Sequence, residues 1–198
     1  MKLTVIPLTS KKKDRKFSFF EELKKIFHHN NTIIENGDVL VISSKFISIS
    51  QGRVLKIDGS KVCEEAKQIS KKFNSNEKFI EIVFRESDEI LGGVSGFVMS
   101  STDGILAPNA GIDKSNSIGT EIILYPIEPY KFAEELKRKI FLEFNLHVGV
   151  IIVDSRLMPA RIGTTGVAIA CAGLEPTKDL RGENDLDGNP LKVTFQAT

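Results

Sequence analysis

The chain has 198 residues, 41% of them hydrophobic, with 27 Lys and Arg against 26 Asp and Glu. That length and apolar share support a real core and argue against wholesale disorder. A net charge of +1 gives no bulk attraction to nucleic acid or anionic membrane, and no apolar run is long enough to span a bilayer.

Residues 1–10 carry a β-like apolar stretch without a signal-peptide layout, and residues 3–8 read as a strand stopping near Pro7. The basic run from Lys11 to Lys16 reads as a solvated loop, with phosphate binding the less favoured alternative. Phe19, Phe20, Leu23, Ile26 and Phe27 recur at helical spacing and predict an amphipathic helix over 18–29, closed by His28 and His29. Asn36-Gly37-Asp38 is a turn before a buried strand at 39–42. Cys63, Ala66, Ile69 and Phe73 mark a second helix, and Phe79 through Leu91 a third, ended by Gly92-Gly93. Runs at 97–101 and 105–107 form a hairpin about Asp103-Gly104. A strand follows at 121–125, then a helix opened by Pro129 with Phe132, Leu136, Ile140 and Phe144 on one face. The unbroken apolar run at 148–153 predicts a strand covered on both faces. A Gly- and Thr-rich loop, a small-residue segment at 167–173, a polar stretch at 178–189 and a last strand at 191–196 complete the chain. Strands and helices mix without strict alternation, so the expected class is α+β, with mixed or antiparallel sheets and packed helices in a single domain of one or two lobes.

Several segments carry chemistry. Asp154 and Ser155 follow a predicted central strand, where ligands commonly bind, although Asp-Ser also suits a simple turn. The stretch from Asn109 to Asn116 includes Asp113, Lys114 and Ser115; its hard oxygen ligands suit Mg²⁺ or Mn²⁺, although its composition alone favours an Asx-turn loop. Arg161 to Gly166 could cradle phosphate but lacks a P-loop ending. Arg181 to Gly188 reads as a pair of turns. Cys63 and Cys171 are far apart and expected to stay reduced in a cytoplasmic protein, Cys171 as packing. The three histidines are too few and scattered for a histidine-rich zinc site.

Taken in order, Gly37-Asp38-Val39-Leu40-Val41-Ile42-Ser43-Ser44, Gln51-Gly52-Arg53, Arg85-Glu86-Ser87-Asp88-Glu89-Ile90-Leu91, Asn109 to Asn116, Gly149 to Ser155, Gly166 to Gly173 and Arg181-Gly182 with Asp185-Leu186 and Gly188 resemble the γ-glutamyl ligases that finish the deazaflavin coenzyme F-420. The resemblance implies GTP-dependent attachment of L-glutamate to a carboxylate of the coenzyme precursor through an acyl phosphate. It implies Mg²⁺ or Mn²⁺, with K⁺ as a further candidate ion, and a cytoplasmic homodimer that binds neither nucleic acid nor membrane. Asp113 and Asp154 match the family's metal-binding aspartates and Ser155 the hydroxyl beside the second; Ser44, Lys45 and Asn116 match nucleotide contacts, and Arg161 is the candidate catalytic cation.

This chain departs from the family pattern at Ile49, where a lysine is common, at Lys11-Lys12-Lys13-Asp14, where the family's loop is apolar, and at Leu157-Met158, where it reads Gly-Arg. The family also continues past the position of Thr198 and takes a second-metal ligand from that continuation. The 198-residue chain is therefore expected to keep the Asp113/Asp154 site, to bind GTP weakly, and to turn over slowly or not at all. Two alternatives stay open: a ligase-like enzyme amidating another carboxylate, and a non-catalytic nucleotide- or deazaflavin-binding protein.

Overall fold

Leu40, Ile42, Val150 and Ile152 lie at alternating positions, as strands need when one face meets a core. In the computed structural model, which describes residues 3–57, 61–114, 121–157 and 162–197, they sit on the paired strands β1 (Val39–Ser43) and β7 (Gly149–Leu157). These strands run parallel, in register from Val39↔Gly149 to Ser43↔Val153. On its other side β7 pairs antiparallel with β8 (Thr164–Ala172). Helices α1 (Phe19–His29) and α5 (Pro129–Phe144) bring Phe19, Leu23, Phe27, Ala133, Leu136 and Ile140 into the same hydrophobic cluster as these strands. An edge-to-face contact between Phe19 and Phe132, with ring centroids 5.1 Å apart, joins the two helices.

A second cluster is built from neighbouring segments. Helices α3 (Glu64–Phe73) and α4 (Glu77–Glu86) contribute Ala66, Phe73, Phe79, Ile80 and Val83. They pack with the antiparallel sheet β3 (Glu89–Val94), β4 (Phe97–Thr102) and β5 (Ile105–Pro108), and with a 3-10 turn at Asn109–Gly111. Glu81 is buried at the α3/α4 junction, accepting from the Cys63 backbone N–H (2.8 Å) and from Arg85 Nε (2.6 Å); these donors hold its carboxyl below the usual range. Between the clusters lie helix α2 (Ser44–Gln51) and the paired strands β2 (Val54–Lys56) and β6 (Glu121–Ile123). Near the end of the chain, β9 (Thr177–Asp179) and β10 (Phe195–Ala197) form an exposed antiparallel pair.

The architecture is α+β, as expected from the order of elements. Several local expectations change. Residues 3–8 are irregular and mostly exposed, not a strand, and the chain beyond them is tied to α1 by Thr9 and Asn30. The third helix stops at Glu86: Ser87 turns extended and its hydroxyl donates to Val83 O (2.6 Å), while Ile90 to Gly93 belong to β3. Strand β1 is half-buried, with Val39 and Val41 exposed, because the helices cover one face of its sheet. Strand β7 continues past Val153 through Asp154 and Ser155, so these residues lie within the strand rather than beyond its end. Thr164 to Gly166, read as loop, open β8. The last strand is shorter and later, at Phe195–Ala197. The turns expected before it are present, with Asp185 Oδ1 accepting from the N–H groups of Asp187 (2.9 Å) and Asn189 (2.8 Å).

Arg53 ties the clusters together. Its Nε donates to Tyr125 O (3.2 Å), its backbone carbonyl accepts from Leu124 N (2.9 Å), and its Nη2 pairs with Glu86 at the end of α4. The pair is mostly shielded, with side-chain exposures of 22% and 23%, so removing one partner strands the other's charge in a poorly solvated place. Arg53→Met is expected to lower the unfolding free energy by about 1–3 kcal/mol. In urea unfolding, the Arg53→Met/Glu86→Met double variant should lose less than the sum of the two single variants.

Candidate functional site

The end of β1 sets the site. Parallel pairing stops at Ser43↔Val153; beyond it, β7 runs on beside β8 alone while the chain after β1 turns into α2. Ser44, the first residue of α2, thereby comes against Asp154, and its hydroxyl donates to Asp154 Oδ1 at 2.9 Å. Two residues further along β7, on the same strand face, the buried Arg156 donates from Nε to Asp154 Oδ2 at 3.1 Å.

Asp113 arrives from the other cluster. Asn109, Ala110 and Gly111 all have positive φ (51°, 55° and 67°), a run that sterics disfavour for the first two. Three hydrogen bonds hold it: Val98 N to Asn109 Oδ1 (2.9 Å), Ala110 N to Ser100 Oγ (3.0 Å), and Ser100 Oγ onward to Ala107 O (2.8 Å). The chain leaves the turn through buried Ile112, and Asp113 pairs in both directions with Ile123, N to O at 2.8 and 2.9 Å. Its carboxylate then meets Lys45 of α2, Oδ2 to Nζ 2.5 Å.

Asp113 and Asp154, from different clusters, both line a cavity of about 560 Å³, together with Ser44, Lys45 and Ser155. Ser155 follows Asp154 on the alternate strand position and is exposed; the hydroxyl that reaches Asp154 is that of Ser44. Asn116 and Arg161 lie outside the described residues, as does Met158. Ile49 does not line this cavity. It faces a larger neighbouring one of about 1140 Å³, bounded by the irregular N-terminal segment and β1, which Lys11, Lys12 and Lys13 also line. Lys13 is engaged by Glu22 at 2.8 Å.

Sequence patterns did not single out two of the groups in the cavity wall. Arg156 and Tyr125 are both buried and line the cavity. Arg156 Nη1 donates to Leu106 O, while Nη2 and the Tyr125 hydroxyl are buried without a partner. An unsatisfied buried donor costs about 1–3 kcal/mol, so two at one cavity are notable. Burial pushes the Tyr125 phenol up to about 12. The signal for Arg156 was its i+2 spacing from Asp154, visible only if the strand is carried past Val153.

Two aspartate carboxylates with nearby serine hydroxyls form a hard-oxygen donor set that fits Mg²⁺ or Mn²⁺. No group of three or more His, Cys, Asp or Glu gathers as a ready metal cluster among the described residues. Each aspartate instead carries a side-chain cation, Lys45 on Asp113 and Arg156 on Asp154. A divalent ion bound by both carboxylates would compete with those cations.

Residues 6–198 match the family model described as F420-0:Gamma-glutamyl ligase. Among curated proteins, the chain is 36% identical over 162 residues to the "Coenzyme F420:L-glutamate ligase" of Archaeoglobus fulgidus, covering 82% of this chain and 65% of that protein. It is 33% identical over 165 residues to the protein of the same name from Methanopyrus kandleri, covering 83% and 66%. The corresponding protein of Methanocaldococcus jannaschii is 35% identical over 162 residues, covering 81% and 65%. The match thus spans just under two thirds of the length of these relatives.

Gly111 keeps Tyr125 in place. A Cβ at Gly111 would stand 2.6 Å from Tyr125 Cδ2, at a φ of +67° that already strains other residues. Gly111→Ala is expected to lower stability by about 1–3 kcal/mol in urea unfolding. Tyr125 also sets a pH dependence. Its phenol pKa is raised on folding, so its contribution to stability is complete below pH 10 and is lost as pH rises from 10 toward about 12. Thermal unfolding across that window should show a shallower fall in Tyr125→Phe than in the parent.

Proposed function

The chain belongs to the F420-0:gamma-glutamyl ligase family, and from that membership we propose that it joins L-glutamate to a carboxylate of the deazaflavin coenzyme precursor, using GTP, in the cavity between Asp113 and Asp154. The observation that carries this reading is the convergence of those two aspartates, with Ser44 and Lys45, on one cavity from separate hydrophobic clusters.

The chemistry asks for two displacements. An oxygen of the precursor carboxylate attacks the γ-phosphorus of GTP, the β–γ phosphoanhydride breaks, and GDP leaves with the electron pair. The amine of glutamate then attacks the acyl carbon, inorganic phosphate departs, and the nitrogen loses a proton as the amide forms. Both steps bring anions together, so the site must neutralise charge before reactants meet. A divalent ion held by Asp113 and Asp154 would supply charge neutralisation and polarise a phosphoryl oxygen. Lys45, paired with Asp113, would turn toward a phosphate once another cation takes that carboxylate. Ser44 orients Asp154 through its hydroxyl, and the N-terminus of α2 adds a favourable dipole beside it. Asn116 and Arg161 remain candidates for nucleotide binding and catalysis through the resemblance.

The test is incubation of the protein, as its gene encodes it, with GTP, Mn²⁺, L-glutamate and the glutamate-free coenzyme. Mass spectrometry should show the precursor gaining one glutamyl residue, with GDP and phosphate released. Asp154→Asn should reduce the rate by about 100-fold or more while the protein stays folded. Amidation of a different carboxylate in place of the precursor, or nucleotide binding without turnover, would overturn this assignment.

A further inference from the structure

We propose that Arg156 and Tyr125 form an oxyanion seat in the wall of the Asp113/Asp154 cavity, where Arg156 Nη2 and the Tyr125 hydroxyl donate to an anionic oxygen of a substrate phosphate or carboxylate. The inference rests on the ligase reading only for the identity of the molecule that carries that oxygen.

Arg156 is 6% exposed and Tyr125 3%; Nη2 and the Tyr125 hydroxyl have no hydrogen-bond partner of ordinary geometry, although the guanidinium and the phenol lie close enough to interact. Arg156 is anchored on two sides. Nε donates to Asp154 Oδ2 at 3.1 Å and Nη1 to Leu106 O, which leaves the N–H groups of Nη2 without a partner of ordinary geometry. Tyr125 is anchored as well: its ring lies against Gly111, and its carbonyl accepts from Arg53 Nε at 3.2 Å. The guanidinium carbon stands 6.0 Å from the Tyr125 ring centroid. Two immobilised donors beside one cavity call for an acceptor with more than one lone pair. An anionic oxygen meets that need more strongly than a neutral one. The high pKa of the phenol keeps it a donor throughout the physiological range. Lys45 and the two carboxylates line the same cavity as Arg156 and Tyr125.

The experiment is calorimetric titration, with Mn²⁺ present, of inorganic pyrophosphate, L-glutamate and the glutamate-free coenzyme into the parent protein, Tyr125→Phe and Arg156→Lys. Tyr125→Phe removes only the unpartnered hydroxyl and keeps the ring. It is expected to weaken one ligand about tenfold and leave the others unchanged, with Arg156→Lys weakening the same ligand. Loss confined to pyrophosphate assigns the seat to phosphate; loss confined to glutamate or the coenzyme assigns it to that carboxylate. Unchanged affinities in Tyr125→Phe, whether or not its Tm falls, overturn the proposal and leave the hydroxyl to a structural water. Equal weakening of all ligands, or a parent protein that binds none, overturns it too. None of these readouts needs turnover. Selective weakening without ligation keeps the seat and removes the ligase reading; ligation with unchanged affinities in Tyr125→Phe does the reverse.

Discussion

The site depends on where one strand stops. β1 pairs in parallel with β7 only as far as Ser43↔Val153, and β7 continues. The vacated edge is filled by the first turn of α2, which places Ser44 on Asp154 and Lys45 on Asp113. Register is therefore a functional quantity here. A one-residue slip of β7 would send Asp154 and Arg156 to the opposite face of the sheet and bring Ser155 to the face they now occupy. The alternation of Val150 and Ile152 into the core holds that register, because a slip would also expose both.

The electrostatics follow from this placement. Each cavity carboxylate is matched by a cation from the chain, one from α2 and one from β7. Such pairs need not add much stability, because taking charges out of water offsets much of their attraction. Their effect is to keep two anionic groups near each other in a cavity whose purpose, in the proposed reaction, is to receive further anions. Lys45, whose side chain is 28% exposed, can be redirected more readily than Arg156, which is 6% exposed and gripped by Asp154 and Leu106.

Much of this was legible from residue patterns, and the failures have physical causes. α1, α3 and α5 show apolar residues at helical spacing over two to four turns, and Asp103-Gly104 announces its hairpin. α2 was hidden because Ile47-Ser48-Ile49-Ser50 alternates like a strand; Gly52 in the left-handed conformation at its end and packing around Ile47 make it a helix. The α4/β3 boundary was misplaced because Ile90 and Leu91 continue the helical spacing of Phe79 to Phe84, although Ser87 and Asp88 break the backbone. Asp113 and Asp154 were chosen by resemblance, since local pattern left Asp154 balanced against an ordinary turn and favoured a turn for Asp113. Tyr125 was read only as the end of a strand at 121–125, which stops at Ile123; its place depends on the close approach of Gly111, a contact between segments that spacing does not encode.

The parallel pairing also bears on the order in which the molecule assembles. Ser44 and Asp154 are 110 residues apart, and the first cluster needs both β1 and β7. The second cluster draws most of its side chains from α3, α4 and the adjacent β3–β5 sheet, contacts that close short loops. Short-range contacts form with less entropy loss and therefore sooner. A nascent chain thus keeps β1 without its pairing strand until β7 has left the ribosome. The cavity takes Ser44 from α2 and Asp154 from β7, so a chain halted before β7 has no site.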